Sequence, residues 1–154
     1  MNLDDDYANA PYIPNSENYL QHWEESAREY RETEHSIGRA QLNLPYGKHP
    51  EQVFDLFFPA GRPLGLVVFI HGGYWQELSK NESEFSAIDF VENDISFAVI
   101  DYSLCPMVSV NDIVNECFTA IRWLQNSFSN YNFCLLYTSP SPRDQRGSGM
   151  AASA

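Results

Sequence analysis

Two adjacent glycines, Gly72 and Gly73, sit between His71 and the aromatic pair Tyr74-Trp75. A glycine pair lets the backbone turn sharply and lets another group approach the peptide N–H groups with no Cβ in the way. Peptide donors held in place can stabilise the negative charge that grows on a carbonyl oxygen under nucleophilic attack. The chemistry offered by His-Gly-Gly-Tyr-Trp is therefore that of a tetrahedral intermediate. The plainer alternative is a tight exit turn with no catalytic role.

What positions this corner lies immediately before it. Leu66 to Ile70 are five apolar residues in a row without polar alternation, the pattern of a strand buried on both faces of a sheet. Upstream, Ser16 to about Glu34 reads as a helix, with Leu20, Trp23, Ala27 and Tyr30 recurring at three- and four-residue steps. Ala40–Pro45 and Gln52–Phe58 read as two strands joined through the Gly- and Pro-containing loop Tyr46-Gly47-Lys48-His49-Pro50. Downstream, Ser79-Lys80-Asn81-Glu82 has capping-box spacing and predicts a helix over about 80–92 that buries Phe85, Ile88 and Val91. Ile95 to Tyr102 predicts a second parallel strand. Ser109 caps a long helix to about Phe128, with Ile113, Val114, Cys117, Ile121, Leu124 and Phe128 as its apolar stripe. Strand–helix–strand–helix alternation from residue 65 onward indicates an α/β fold with a mostly parallel sheet.

Composition narrows the classes. The 154 residues carry 21 acidic and 9 basic side chains, a formal charge of −12. Such a surface repels phosphate backbones, which argues against nucleic acid as a partner. No apolar run approaches the roughly 20 residues of a membrane span, and the acidic start Met1-Asn2-Leu3-Asp4-Asp5-Asp6 is unlike a signal peptide. A membrane partner is not expected, and a soluble cytoplasmic protein is the default. Cys105, Cys117 and Cys134 are odd in number and lack metal spacing, and His22, His35, His49 and His71 form no metal-binding pair. No metal or cofactor is called for. His22 and His35 read as solvated or packing residues, and Cys117 as a core residue.

The chain divides into an N-terminal surface segment (1–15), a partial α/β domain (16–133) and a tail (134–154). Tyr131 to Leu136 can start one more strand. The Pro-, Ser- and Gly-rich remainder has no apolar period, so its composition cannot build a core. That tail resembles translated adapter or vector sequence.

His71-Gly72-Gly73-Tyr74-Trp75 matches the His-Gly-Gly-x-Trp of α/β-hydrolases of the kynurenine formamidase (arylformamidase) and esterase type. Support comes from Tyr46-Gly47, from Asp55-Leu56-Phe57-Phe58-Pro59 and from Asp101-Tyr102-Ser103-Leu104-Cys105-Pro106. The resemblance covers about residues 12–133. It implies that the backbone N–H groups of Gly72, Gly73 and Tyr74 form the oxyanion hole, and that His71 shapes the loop. Tyr74 and Trp75 would wall the pocket for a small-molecule substrate, an aromatic one such as N-formylkynurenine being a natural fit for ring packing. For Trp75, core packing is the equal alternative. The implied strand order is 1-2-4-3-5.

One departure is severe. The family's Gly-x-Ser-x-Gly nucleophile elbow, and the acid and histidine that follow it, have no counterpart in these 154 residues. Ser103 and Cys105 follow a strand but lack the glycine-flanked turn, and a Cys105–His71 dyad is a remote substitute. The expectation is an N-terminal part of a formamide or ester hydrolase that is itself inactive, with the 65–70 strand left at an open edge of the sheet that residues 131–136 could cover only in part. A carboxylesterase of the same fold and a non-enzymatic binding protein are the alternatives. Oligomeric state is left open.

Overall fold

Parity along the strands explains the architecture of the computed structural model, which describes residues 12–128 and 134–139. The chain forms α1 (Ser16–Ser36), β1 (Ala40–Pro45), β2 (Val53–Phe57), β3 (Gly65–Ile70), two 3-10 turns (Lys80–Glu82 and Glu84–Ser86), α2 (Ala87–Glu92), β4 (Ile95–Ile100), α3 (Val110–Phe128) and β5 (Cys134–Ser139). The sheet runs β1-β2-β4-β3-β5. β1–β2 and β2–β4 are antiparallel, whereas β4 and β5 flank β3 in parallel.

Side chains alternate across a sheet, so each strand feeds two cores. Phe54, Leu56, Leu66, Val68, Ala98 and Ile100 pack with Ala120 and Leu124 of α3. Phe57, Phe97 and Val99 pack on the other face with Ala87 and Val91 of α2, and Tyr30 of α1 leans on that cluster. This is why β3 and β4 read as unbroken apolar runs. Fully burying each such side chain contributes about 1.5–3 kcal/mol.

Several expectations need correction. The helix expected over 80–92 is two 3-10 turns and one short α-helix. Its capping box forms, with Glu82 accepting from the Ser79 backbone, but a turn at Ser83 separates the two 3-10 turns. Serine is a poor helix former, and the break lets Glu84 turn inward. β4 stops at Ile100 rather than Tyr102, and the Asp101 N–H still reaches Val53 O (2.9 Å) at the end of the β2 pairing. Leu20 and Trp23 remain 44% and 39% exposed, so only the Ala27–Tyr30 half of the α1 stripe is covered. Val114 also faces outward, at 45% exposure, while Ile113, Ala120 and Leu124 take the buried side.

The largest correction concerns the edge. β3 is not left open: β5 pairs with it from Gly65↔Cys134 to Phe69↔Ser139, with one irregularity after Leu66. Six residues counted above as the start of the tail therefore continue the sheet, since an unpaired strand leaves backbone donors and acceptors unsatisfied. The rest of the tail, like residues 1–11, lies outside the described residues.

Candidate functional site

Parallel pairing brings the C-terminal ends of β3 and β4 side by side, and the two chain exits make the candidate site. From β3 comes His71-Gly72-Gly73-Tyr74-Trp75; from β4 comes Asp101-Tyr102-Ser103. The first loop is tightly wound. Gly73 has φ +117°, and a Cβ there would collide with the carbonyl of Glu77, so only glycine fits. Gly73 O accepts hydrogen bonds from the N–H groups of Gln76 (3.0 Å) and Glu77 (2.9 Å). Tyr74, Trp75 and Leu78 also adopt left-handed backbone, at φ 52°, 61° and 66°. Left-handed backbone is uncommon for such bulky residues and marks strained segments that cluster at functional sites.

His71 is buried, with both ring nitrogens directed at oxygens. Nδ1 donates to Gly72 O at 2.8 Å, and Nε2 faces Asp101 Oδ1 at 3.2 Å, off the line of a hydrogen bond. The imidazole stacks on the Tyr102 ring, centroids 4.2 Å apart and 3° from parallel. The Tyr102 hydroxyl donates to His71 O (2.8 Å). Neither ring nitrogen has Cys105 as a partner among the described residues, so no Cys105–His71 dyad is formed here. Among the described residues, the N–H groups of Gly72 and Gly73 have no hydrogen-bond acceptor. Tyr74 and Trp75 are 57% and 43% exposed, which excludes core packing for Trp75.

Asp101 is itself anchored. Its carbonyl accepts from the Tyr46 hydroxyl (2.7 Å), which ties the β4 exit to the β1–β2 loop. Burial, aided by the charge of Glu116, raises the pKa of Tyr46 and keeps the phenol a donor. Ser103 is buried; it donates its hydroxyl to Glu116 Oε1 (3.0 Å) and its N–H to Oε2 (2.8 Å). Its hydroxyl also lies 3.3 Å from His49 Nδ1, so Ser103 ties the β4 exit to both α3 and the β1–β2 loop. Cys117, expected as a core residue, is only half-buried, and burial pushes its thiol up to about 11.

Sequence reasoning missed a second polar group beneath the loop. Lys80 Nζ donates to Asp55 Oδ2 (2.9 Å) and lies 3.6 Å from Glu84 Oε1. Arg31 of α1 pairs with Glu84 Oε2 at 2.5 Å and with Asn81 Oδ1 at 2.9 Å. Asn43, where β1 bulges, gives its N–H to Asp55 Oδ1 (2.6 Å). Burial, then the neighbouring Asp55, push Glu84 up to about 9 against the pull of Lys80 and Arg31. Next to this cluster lies a polar cleft of about 530 Å³ whose walls include Arg31, Asn81 and Asp101. No group of His, Cys, Asp and Glu among the described residues can hold a metal ion, and no described helix is long and apolar enough to cross a membrane.

A mixed sheet in this order, helices on both faces and a glycine corner after its central parallel strand define the α/β-hydrolase class. The chain belongs to the BD-FAE family, whose model matches residues 54–135. Kynurenine formamidase of Salmo salar is 36% identical over 88 residues, covering 54% of this chain and 30% of that protein. Isoprenylcysteine alpha-carbonyl methylesterase of Arabidopsis thaliana is 29% identical over 96 residues, covering 60% and 22%. The crystal structure of a candidate thioesterase from Silicibacter sp. TM1040 superposes with a TM-score of 0.76 at 37% identity, covering 82% of this chain and 48% of that one. The chain thus spans under half the length of these relatives, which places it within a hydrolase family of formamidases and esterases without giving its own substrate.

Proposed function

We propose that this chain is the oxyanion-loop portion of a hydrolase that cleaves an aryl formamide, N-formylkynurenine being the reference substrate. The observation that carries the proposal is the pair of peptide donors at Gly72 and Gly73, which have no acceptor among the described residues and lie beside the exposed rings of Tyr74 and Trp75. In the reaction, attack on the formyl carbonyl moves charge onto its oxygen. The N–H groups of Gly72, Gly73 and Tyr74 would receive that oxygen, and losing one such donor typically costs about 10²–10³ in kcat. Tyr74 and Trp75 would hold the aromatic ring of the substrate. The likeness to kynurenine formamidase supports the formamide over other acyl groups.

The attacking serine, its histidine and the acid would lie outside these 154 residues, so the chain alone is expected to be inactive. The purified chain should show no saturable turnover of N-formylkynurenine or p-nitrophenyl acetate; turnover abolished by a serine-directed phosphonate would overturn that. A longer protein that contains this α/β domain together with the missing nucleophile elbow tests the substrate. Faster hydrolysis of N-formylkynurenine than of the nitrophenyl ester supports the proposal. The likeness to a methylesterase favours a second reading, an ester substrate, and a longer protein active only on esters would establish it.

A further inference from the structure

A glycine pair can present donors only if its peptide planes are kept from swinging. Carbonyl and N–H point to opposite sides of a trans peptide, so whatever holds the carbonyl aims the N–H. In the plane joining His71 to Gly72, the carbonyl is held by the Tyr102 hydroxyl at 2.8 Å. In the plane joining Gly72 to Gly73, the carbonyl is held by His71 Nδ1 at 2.8 Å, and the far side of that ring faces Asp101. The next carbonyl, of Gly73, is held by the N–H groups of Gln76 and Glu77. Three successive carbonyls are thus tied: the first by Tyr102 of the β4 exit, the second by the His71 ring, which stacks on Tyr102 and faces Asp101 of that exit.

We infer that Tyr102 and Asp101 are positioning residues of the donor pair: Tyr102 aims the Gly72 N–H directly, and Asp101 aims the Gly73 N–H through the His71 ring. The inference rests on the proposed role of the two glycines as oxyanion donors. It adds a division of labour that the glycines do not reveal. The β4 exit is itself fixed, because Asp101 gives its N–H to Val53 O and takes the Tyr46 hydroxyl on its carbonyl. The geometry of one loop is therefore set by side chains of the next strand and, behind them, by the first hairpin.

The test is nitrogen–proton NMR of the full 154-residue chain titrated with sodium formate against equal sodium chloride. Formate supplies an oxygen anion of the size the donors would meet. In the unmodified chain the Gly72 and Gly73 amide peaks should shift saturably, whereas Gly38, at the end of α1, should not. Tyr102→Phe keeps the stacked ring and removes the hydroxyl, and should weaken the Gly72 response about threefold to tenfold, the range of one neutral hydrogen bond. Asp101→Asn should weaken Gly73 more than Gly72. That site selectivity is the signature, since general loosening would move both glycines together. Saturable shifts of equal size and midpoint in all three proteins would overturn the positioning roles while leaving the donor reading intact. No shift at either glycine in the unmodified chain would overturn the donor reading, and the inference with it. If Tyr102→Phe fails to fold, as judged by its thermal transition, Asp101→Asn decides alone, and an unchanged Gly73 response then counts against the inference.

Discussion

The loop at 71–75 and the ionic cluster of Arg31, Asp55, Lys80 and Glu84 handle polarity in opposite ways. The cluster turns its polar groups on one another: Lys80 meets Asp55, and Arg31 meets Glu84. The loop ties its carbonyls inward and leaves two N–H groups without an acceptor among the described residues. A closed polar network holds a fold together, whereas donors left open are available to a ligand. The difference separates what braces the site from what faces substrate.

The largest effect should come from breaking the closed side. Lys80→Met leaves the buried Asp55 carboxylate without its cation, and uncompensated buried charge costs about 3–5 kcal/mol. Urea unfolding should show an unfolding free energy lowered by that amount, read as a lower midpoint at unchanged slope, and a midpoint within error of the parent would mean that the cluster is not closed. Next comes the loop. Gly73→Ala must tolerate φ +117° and a collision with Glu77 O, at a cost of about 1–3 kcal/mol. The same variant should lose the formate response at Gly72 and Gly73; losing stability while keeping the response would break the link between loop geometry and donors.

Acid titration sharpens the contrast further. Glu84 is pushed up to about 9 in the folded protein, so the folded state keeps a proton that the unfolded chain releases above the ordinary carboxyl range. Its contribution to stability is full below about 4.5 and is lost as pH rises toward 9, with a slope of at most about 1.4 kcal/mol per pH unit. Glu84→Gln should flatten that part of the stability curve, and an unchanged curve in thermal melts across this range would remove Glu84 from the account. Smallest of all is Trp75→Ala. A residue 43% exposed on the open side should change stability by no more than about 0.5 kcal/mol; a loss of several kcal/mol would show that Trp75 supports the fold instead of a pocket.

Much of this was written locally. The apolar runs of β3 and β4, the hairpin before them and the long α3 follow from side-chain period, and Gly73 marks the corner because only glycine permits its backbone. Ser79 and Glu82 form their capping box because both partners are three residues apart. Strand order matched through the family resemblance, not through any period in the chain. Tyr46, Asp55, Asp101 and Tyr102 stood out as motif residues, but their roles did not, because each depends on a partner distant in sequence: Tyr46 meets Asp101 across 55 positions and Tyr102 meets His71 across 31. The same holds for the ionic cluster, where Arg31 on α1 reaches Glu84 across 53 positions. Sequence alone determined where the chain turns and which faces are apolar, since those are properties of neighbouring residues. Tertiary structure alone decided which carbonyls are tied and which N–H groups are left open, because a hydrogen bond is fixed by where its partner ends up in space.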